Sequence, residues 1–135
     1  MTTPIDMSDA SDAVIAVLGG MGSYSTLHFF EELLRAFPAE KEWQRPRIVI
    51  DNNCVLPSRV RAVLYDERRN ELVSGMAASI TWLMQVDPDC IAIPCNTAHL
   101  FLPEVAQQAD TSRVVDMIDV TLEHCAARQL RRVGL

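Results

Sequence analysis

Apolar residues in this chain gather into two alternating kinds of run. Short runs rich in Val and Ile and bounded by turn residues are AVIAVL (13–18), RIVI (47–50), CIAI (90–93) and RVVDM (113–117), with RRVGL (131–135) closing the sequence. Runs of that length and composition read as buried strands. Between them, apolar positions recur at helical spacing. Leu27, Phe30, Leu34 and Phe37 form one stripe, stopped by Pro38. Leu72, Met76, Ile80 and Leu83 form a second, ending before Asp87-Pro88. Residues 97–109 form a third, with a kink expected at Pro103, and Ile118, Leu122, Ala126 and Leu130 a fourth. Strands alternating with helices predict an α/β domain, a parallel sheet with helices on both faces. The domain is expected over 13–130, after a flexible tail at 1–12.

Length changes the picture little. A chain of 135 residues is one domain's worth and buries enough surface to hold a core without metals or disulfides. At 49% hydrophobic residues it is no disordered chain. Twelve Lys and Arg against 18 Asp and Glu give a net charge of −6, which argues against nucleic acid as a partner. The start, MTTPIDMSDASD, has no basic segment, and the apolar run at 13–18 is too short for a signal or a membrane span. The expectation is a cytoplasmic protein with no membrane partner. The four cysteines, Cys54, Cys90, Cys95 and Cys125, form no Cys-x-x-Cys pair, so neither zinc nor a disulfide frame is suggested. His28, His99 and His124 are isolated and read as surface or core histidines, not metal ligands.

In open α/β sheets, ligands bind at the carboxyl ends of the strands. Three segments are expected there and should converge: GGMGS (19–23), DNNC (51–54) and PCNT (94–97). The glycines permit a tight turn and close ligand approach, and the helix that follows aims free N–H groups at an anion. A small carboxylate fits. A dinucleotide register would use Gly20 and Gly22, with Asp51 as the ribose acid, but its third glycine is Ser25.

Cys95, between a strand and a helix start, is the candidate reactive thiolate, since a helix N-terminus favours thiolate, or else an inert buried cysteine at a strand end. Asn96 and Thr97 beside it either hold a carboxylate or cap the helix. Arg59 is positioned to clamp a carboxylate in two-pronged fashion, or is simply solvated. Asn52 and Cys54 lie on the loop side and are candidates to line the crevice, Cys54 reading first as a half-buried small apolar residue. Cys90 and Cys125 read as core residues. Arg61, Arg68 and Arg69, near Asp66, Glu67 and Glu71, read as a solvated helix face.

VLGGMGSYST (17–26), PCNTAH (94–99) and RRVGL (131–135) together resemble the aspartate/glutamate racemases, the cofactor-independent amino-acid racemases. That family pairs a GGMGPxAT segment with PCNTAH, in this order and spacing, and opens its second half with a KVGLL-like strand. The resemblance implies one domain, flavodoxin-like or Rossmann-like in its three layers, of a two-domain enzyme. Each domain supplies one cysteine, and the two work on opposite faces of the substrate's Cα. Cys95 matches the first of them. Asn96 and Thr97 match residues that bind the substrate carboxylate. Arg59, in LPSRV, falls near the arginine of the family's IPDRT segment. Met21 and Gly22 line the pocket, and Thr26 matches the Thr of GGMGPxAT. No cofactor and no metal are implied, and the partner is an amino acid or dicarboxylate. Ser23 and Ser58 depart from the family's Pro and Asp. Residues 131–135 would begin the second domain, whose cysteine segment is not in this sequence. A half of such an enzyme exposes apolar surface, so a homodimer is expected. Two other readings remain: a related cysteine-dependent isomerase or decarboxylase, and a non-catalytic carboxylate-binding module.

Overall fold

A computed structural model describes residues 10–134. The strands are β1 (Val14–Gly19), β2 (Arg47–Asn52) and β3 (Cys90–Ala92). The helices are α1 (Ser23–Ala36), α2 (Arg59–Tyr65), α3 (Arg69–Met84), α4 (Leu102–Val105) and α5 (Met117–Ala127). All strand pairs are parallel, in the order β2-β1-β3. The α/β architecture is as the apolar pattern predicts. β1 is the central strand, and its apolar residues from Ile15 to Leu18 are buried. Alternation sends Ala16 and Leu18 to one face and Ile15 and Val17 to the other.

The chain leaves β1 through α1 to reach β2 on one side. It then returns through α2 and α3 to β3 on the other side. Two right-handed crossovers in opposite directions put their helices on opposite faces. α3 lies on the Ala16/Leu18 face and buries Leu72, Met76, Ile80 and Leu83 there, the predicted stripe. Ile91, Ile93, Ala98, Phe101 and Val105 complete that core.

α1 stops at Phe37, before Pro38, as expected. Its stripe is less buried than the pattern implies: Leu27 is 61% exposed, and Thr26 is the buried residue of the helix. α5 also forms where predicted, yet none of its residues is buried and Leu122 is 62% exposed. An apolar groove of about 630 Å³ lies between these two helices over Ile15, Cys90 and Ala92.

Other expectations are corrected. The strand at 113–117 shrinks to one parallel bridge, Ile91 to Val114. Local side chains take the segment's ends: Asp110 accepts from the N–H of Ser112 before it, and Asp116 caps α5 through the N–H groups of Ile118 and Asp119. An aspartate that begins a helix ends the strand in front of it. The single helix expected at 97–109 is a 3-10 turn, Thr97–Phe101, followed by the one-turn α4. Pro103 sits in the first turn of α4, where its missing N–H is tolerated, and does not kink a longer helix. Residues 131–134 take no regular structure, and Leu135 lies outside the described residues. So do residues 1–9 of the expected tail. Ala10 bonds to the Gln44 carbonyl and, through its own carbonyl, to Ala13. No helix among the described residues is long and apolar enough to cross a membrane.

Candidate active site

The strand order reverses at β1, so the crevice at a topological switch point opens at the carboxyl ends of β1 and β3. The glycine loop follows β1, and Cys95 follows β3. The register Val17 to Ala92 sets the ends of β1 and β3 side by side, so the two loops leave the sheet as neighbours. On the other flank Gly19 pairs with Asn52, bringing the third loop alongside.

The glycine loop is built by close approach. Gly20 has φ of +87°, a left-handed conformation, and a Cβ there would lie 2.4 Å from the Asn53 backbone. Asn53 in turn donates its N–H to the Gly19 carbonyl at 3.2 Å. A Cβ on Gly19 would lie 2.4 Å from the Thr26 side chain. The Thr26 hydroxyl accepts from the Gly20 N–H and donates to the Gly22 carbonyl, both at 3.0 Å. Thr26 is therefore the clasp of the loop, a role its match to the family motif did not reveal. Met21, expected to line the pocket, buries its side chain in the core. Gly22 precedes α1 with no side chain capping it and no acidic residue in the first turn. The amides of that turn are left for an anion.

Cys95 is held by a three-residue turn. Pro94 has no N–H to extend the ladder, and its ring holds φ near about −65°, which suits the centre of such a turn. The Cys95 N–H accordingly donates to the Ile93 carbonyl at 2.7 Å. Cys95 is partly buried against the core. The segment after it is a 3-10 turn of five residues, shorter than the helix from which thiolate stabilisation was expected.

Asn96 precedes that turn in helical conformation with no side-chain capping bond, and neither Asn96 nor Thr97 spends its side chain on a described residue. The capping alternative is thus not what these side chains do. His99 is buried, and its Nδ1 lies 2.8 Å from the Cys95 carbonyl oxygen. The reading as an isolated core histidine missed that contact, whose signal is the four-residue spacing from Cys95.

Arg59 opens α2, a helix the apolar pattern did not predict, and gives one N–H to the Pro57 carbonyl at 3.1 Å. The helix starts at Arg59 because the Ser58 hydroxyl caps it through the Arg61 N–H. Arg61 bonds Glu67 and Arg68 bonds Glu71 on the exposed surface, as expected of a solvated face. Arg69 departs from that expectation: it reaches Glu104 on α4 and lies over the Phe101 ring.

Asn52 donates to the Ser23 hydroxyl at 3.0 Å. With Thr26 it lines a shallow groove of about 210 Å³ between α1 and β2. Cys54 is exposed at the end of a three-residue turn like that of Cys95, its N–H donating to the Asn52 carbonyl at 2.9 Å. Asn53, which the sequence did not single out, ties this loop to α3 through the Ser79 hydroxyl at 2.9 Å. Cys90 faces the apolar groove, where burial, and then the charge of Asp89, push its thiol above the ordinary range. No group of three or more His, Cys, Asp or Glu among the described residues is placed to hold a metal.

Known proteins share this arrangement of chain and sheet. The chain is 28% identical over 115 residues to the broad specificity amino-acid racemase RacX of Bacillus subtilis, covering 82% of this chain and 48% of the relative. The solved aspartate racemase of Picrophilus torridus superposes with a TM-score of 0.77 at 27% identity, over 86% of this chain and 48% of that one. An aspartate racemase homologue from Pyrococcus horikoshii shares the fold, with a TM-score of 0.64 at 20% identity, over 84% of this chain and 49% of that one. The chain thus spans about half the length of the relatives it matches. A sequence model described as Asp/Glu/hydantoin racemase matches residues 18–135, and on that match the chain belongs to this racemase family.

Proposed function

We propose that this chain supplies one side of the site of an amino-acid racemase acting on aspartate, glutamate or a similar amino acid, with Cys95 exchanging the Cα proton. The observation that carries the reading is the position of Cys95 just past the end of β3, the strand paired beside β1 from which the glycine loop leaves, followed by Asn96 and Thr97 with uncommitted side chains. The Cys95 thiolate takes the proton, so the Cα–H bond breaks, an S–H bond forms, and the electron pair remains on Cα, delocalised into the carboxylate. Asn96, Thr97 and the first-turn amides of α1 bind that carboxylate and stabilise the growing charge. Arg59 pairs with the second carboxylate of a dicarboxylic amino acid.

Inversion requires an acid on the opposite face of the same carbon. Cys95 serves one face. The second thiol belongs to a further α/β half, in keeping with relatives about twice as long. The exposed apolar residues of α5 and the groove beside it support association of the chain into a homodimer.

The test is deuterium incorporation at Cα of aspartate and glutamate in deuterated buffer. The reading expects Cys95→Ser to remove all exchange while binding of the amino acid persists. Exchange that survives in Cys95→Ser contradicts it. Saturable binding by the unmodified chain with no exchange from either enantiomer favours a carboxylate-binding module instead.

A further inference from the structure

Cys95 has both of its backbone polar groups committed. Its N–H goes to the Ile93 carbonyl in the turn centred on Pro94, and its carbonyl meets the His99 ring. A carbonyl only accepts, so Nδ1 of His99 carries a proton. The other ring nitrogen, Nε2, is buried with no hydrogen-bond partner among the described residues. His99 is only 6% exposed. A buried polar atom left unpaired costs free energy that an apolar side chain of similar size avoids. The polar chemistry of this imidazole is therefore spent on one contact, the Cys95 carbonyl.

We propose that His99 is the positioning residue of the Cys95 thiol. Its Nδ1–H holds the Cys95–Asn96 peptide and so fixes the direction in which Sγ leaves the backbone. Cys54 is the built-in contrast: it ends a similar three-residue turn after β2, is exposed, and has no ring on its carbonyl among the described residues. Cys95 already packs against the core. Freed from the ring, its thiol turns further into that core and becomes less reactive. The purpose of the device rests on the racemase reading, but its geometry does not.

The experiment combines ring-nitrogen NMR on histidine-labelled protein with iodoacetamide alkylation, following Cys95 and Cys54 separately by peptide mass. Nδ1 is expected to carry the proton and Nε2 to be bare. The Asn side chain places its amide N–H where Nδ1 sits, and the Gln side chain places it where Nε2 sits. The rate of Cys95 relative to Cys54 should stay within about twofold in His99→Asn and fall about tenfold in His99→Gln and His99→Leu, the scale of one lost hydrogen bond. A ratio unchanged or raised in His99→Gln, or a proton on Nε2 alone, overturns the proposal. If His99→Leu does not fold, the Asn and Gln pair still decides. Neither readout needs turnover. Absent Cα exchange with the thiol effect intact counts against the racemase reading alone, and an unchanged thiol ratio with exchange intact counts against the positioning role alone.

Discussion

The two faces of the sheet carry similar apolar alternation and are covered very differently. On the Ala16/Leu18 face, α3 buries seven residues and the core closes around Phe101 and Val105. On the Ile15/Val17 face, α1 buries Thr26, α5 buries nothing, and a groove stays open between them. The closed face holds the fold together. The open face presents strand residues and helix stripes that have the pattern of a core without the neighbours of one. The difference teaches that periodicity reports which residues are apolar on one side of a helix, while burial depends on what covers that side.

Truncation should break this symmetry of pattern most plainly. Leu83→Ala on the closed face is expected to cost about 2–5 kcal/mol, the range for large-to-small changes in a packed core. Leu122→Ala on α5 should stay within about 0.5 kcal/mol. Urea unfolding of both variants measures the contrast. Equal costs would mean that α5 is covered in solution, and concentration-dependent unfolding would then identify a second copy as the cover.

Thr26 belongs to the sparsely covered side yet does structural work at the crevice. Thr26→Val keeps the shape but removes the acceptor of the Gly20 N–H, and should destabilise by about 1–3 kcal/mol. Carboxylate affinity should fall with it, because the glycine loop loses its clasp. Calorimetric titration with aspartate, set beside thermal unfolding, reads both effects, and intact affinity in a destabilised variant would separate the clasp from the site.

Cys90 reports on the open face with a smaller effect. Burial holds its thiol above the ordinary range, so at a given pH less of it is thiolate. Its alkylation should lag behind that of exposed Cys54 and rise toward it only as pH increases past the ordinary thiol range. By the same sign, any stability linked to the protonated Cys90 is retained at neutral pH and lost as pH rises through its raised value. Matching pH–rate curves for the two cysteines would show that the groove does not shield this thiol.

How much of this was legible in the sequence follows from what each signal depends on. The stripe of α3 was readable because its residues repeat at helical spacing and all point at the sheet. α2 was not, because its burial rests on small Ala62 while Val60, Val63 and Leu64 stay exposed, leaving Ser58 as the usable sign of its start. The strand at 113–117 was overread because Asp116 and Met117 were counted within it and not as the cap and first residue of α5. At the site, the three loops could be placed by the rule that ligands gather at strand ends, and the motif resemblance singled out Cys95, Asn96 and Thr97. The Thr26 clasp and the His99 contact are made by side chains reaching backbone atoms within a turn or two. Residue type alone does not announce such bonds.

The most direct test of the account follows the stereochemistry of exchange at Cα. Purified chain is incubated in deuterated buffer with each single enantiomer of aspartate and glutamate, and deuterium content and configuration are read separately. One thiol serving one face of the carbon predicts exchange from one enantiomer with retention, lost in Cys95→Ser. Exchange with inversion would require a second acid opposite Cys95 and would contradict a one-sided site in this chain.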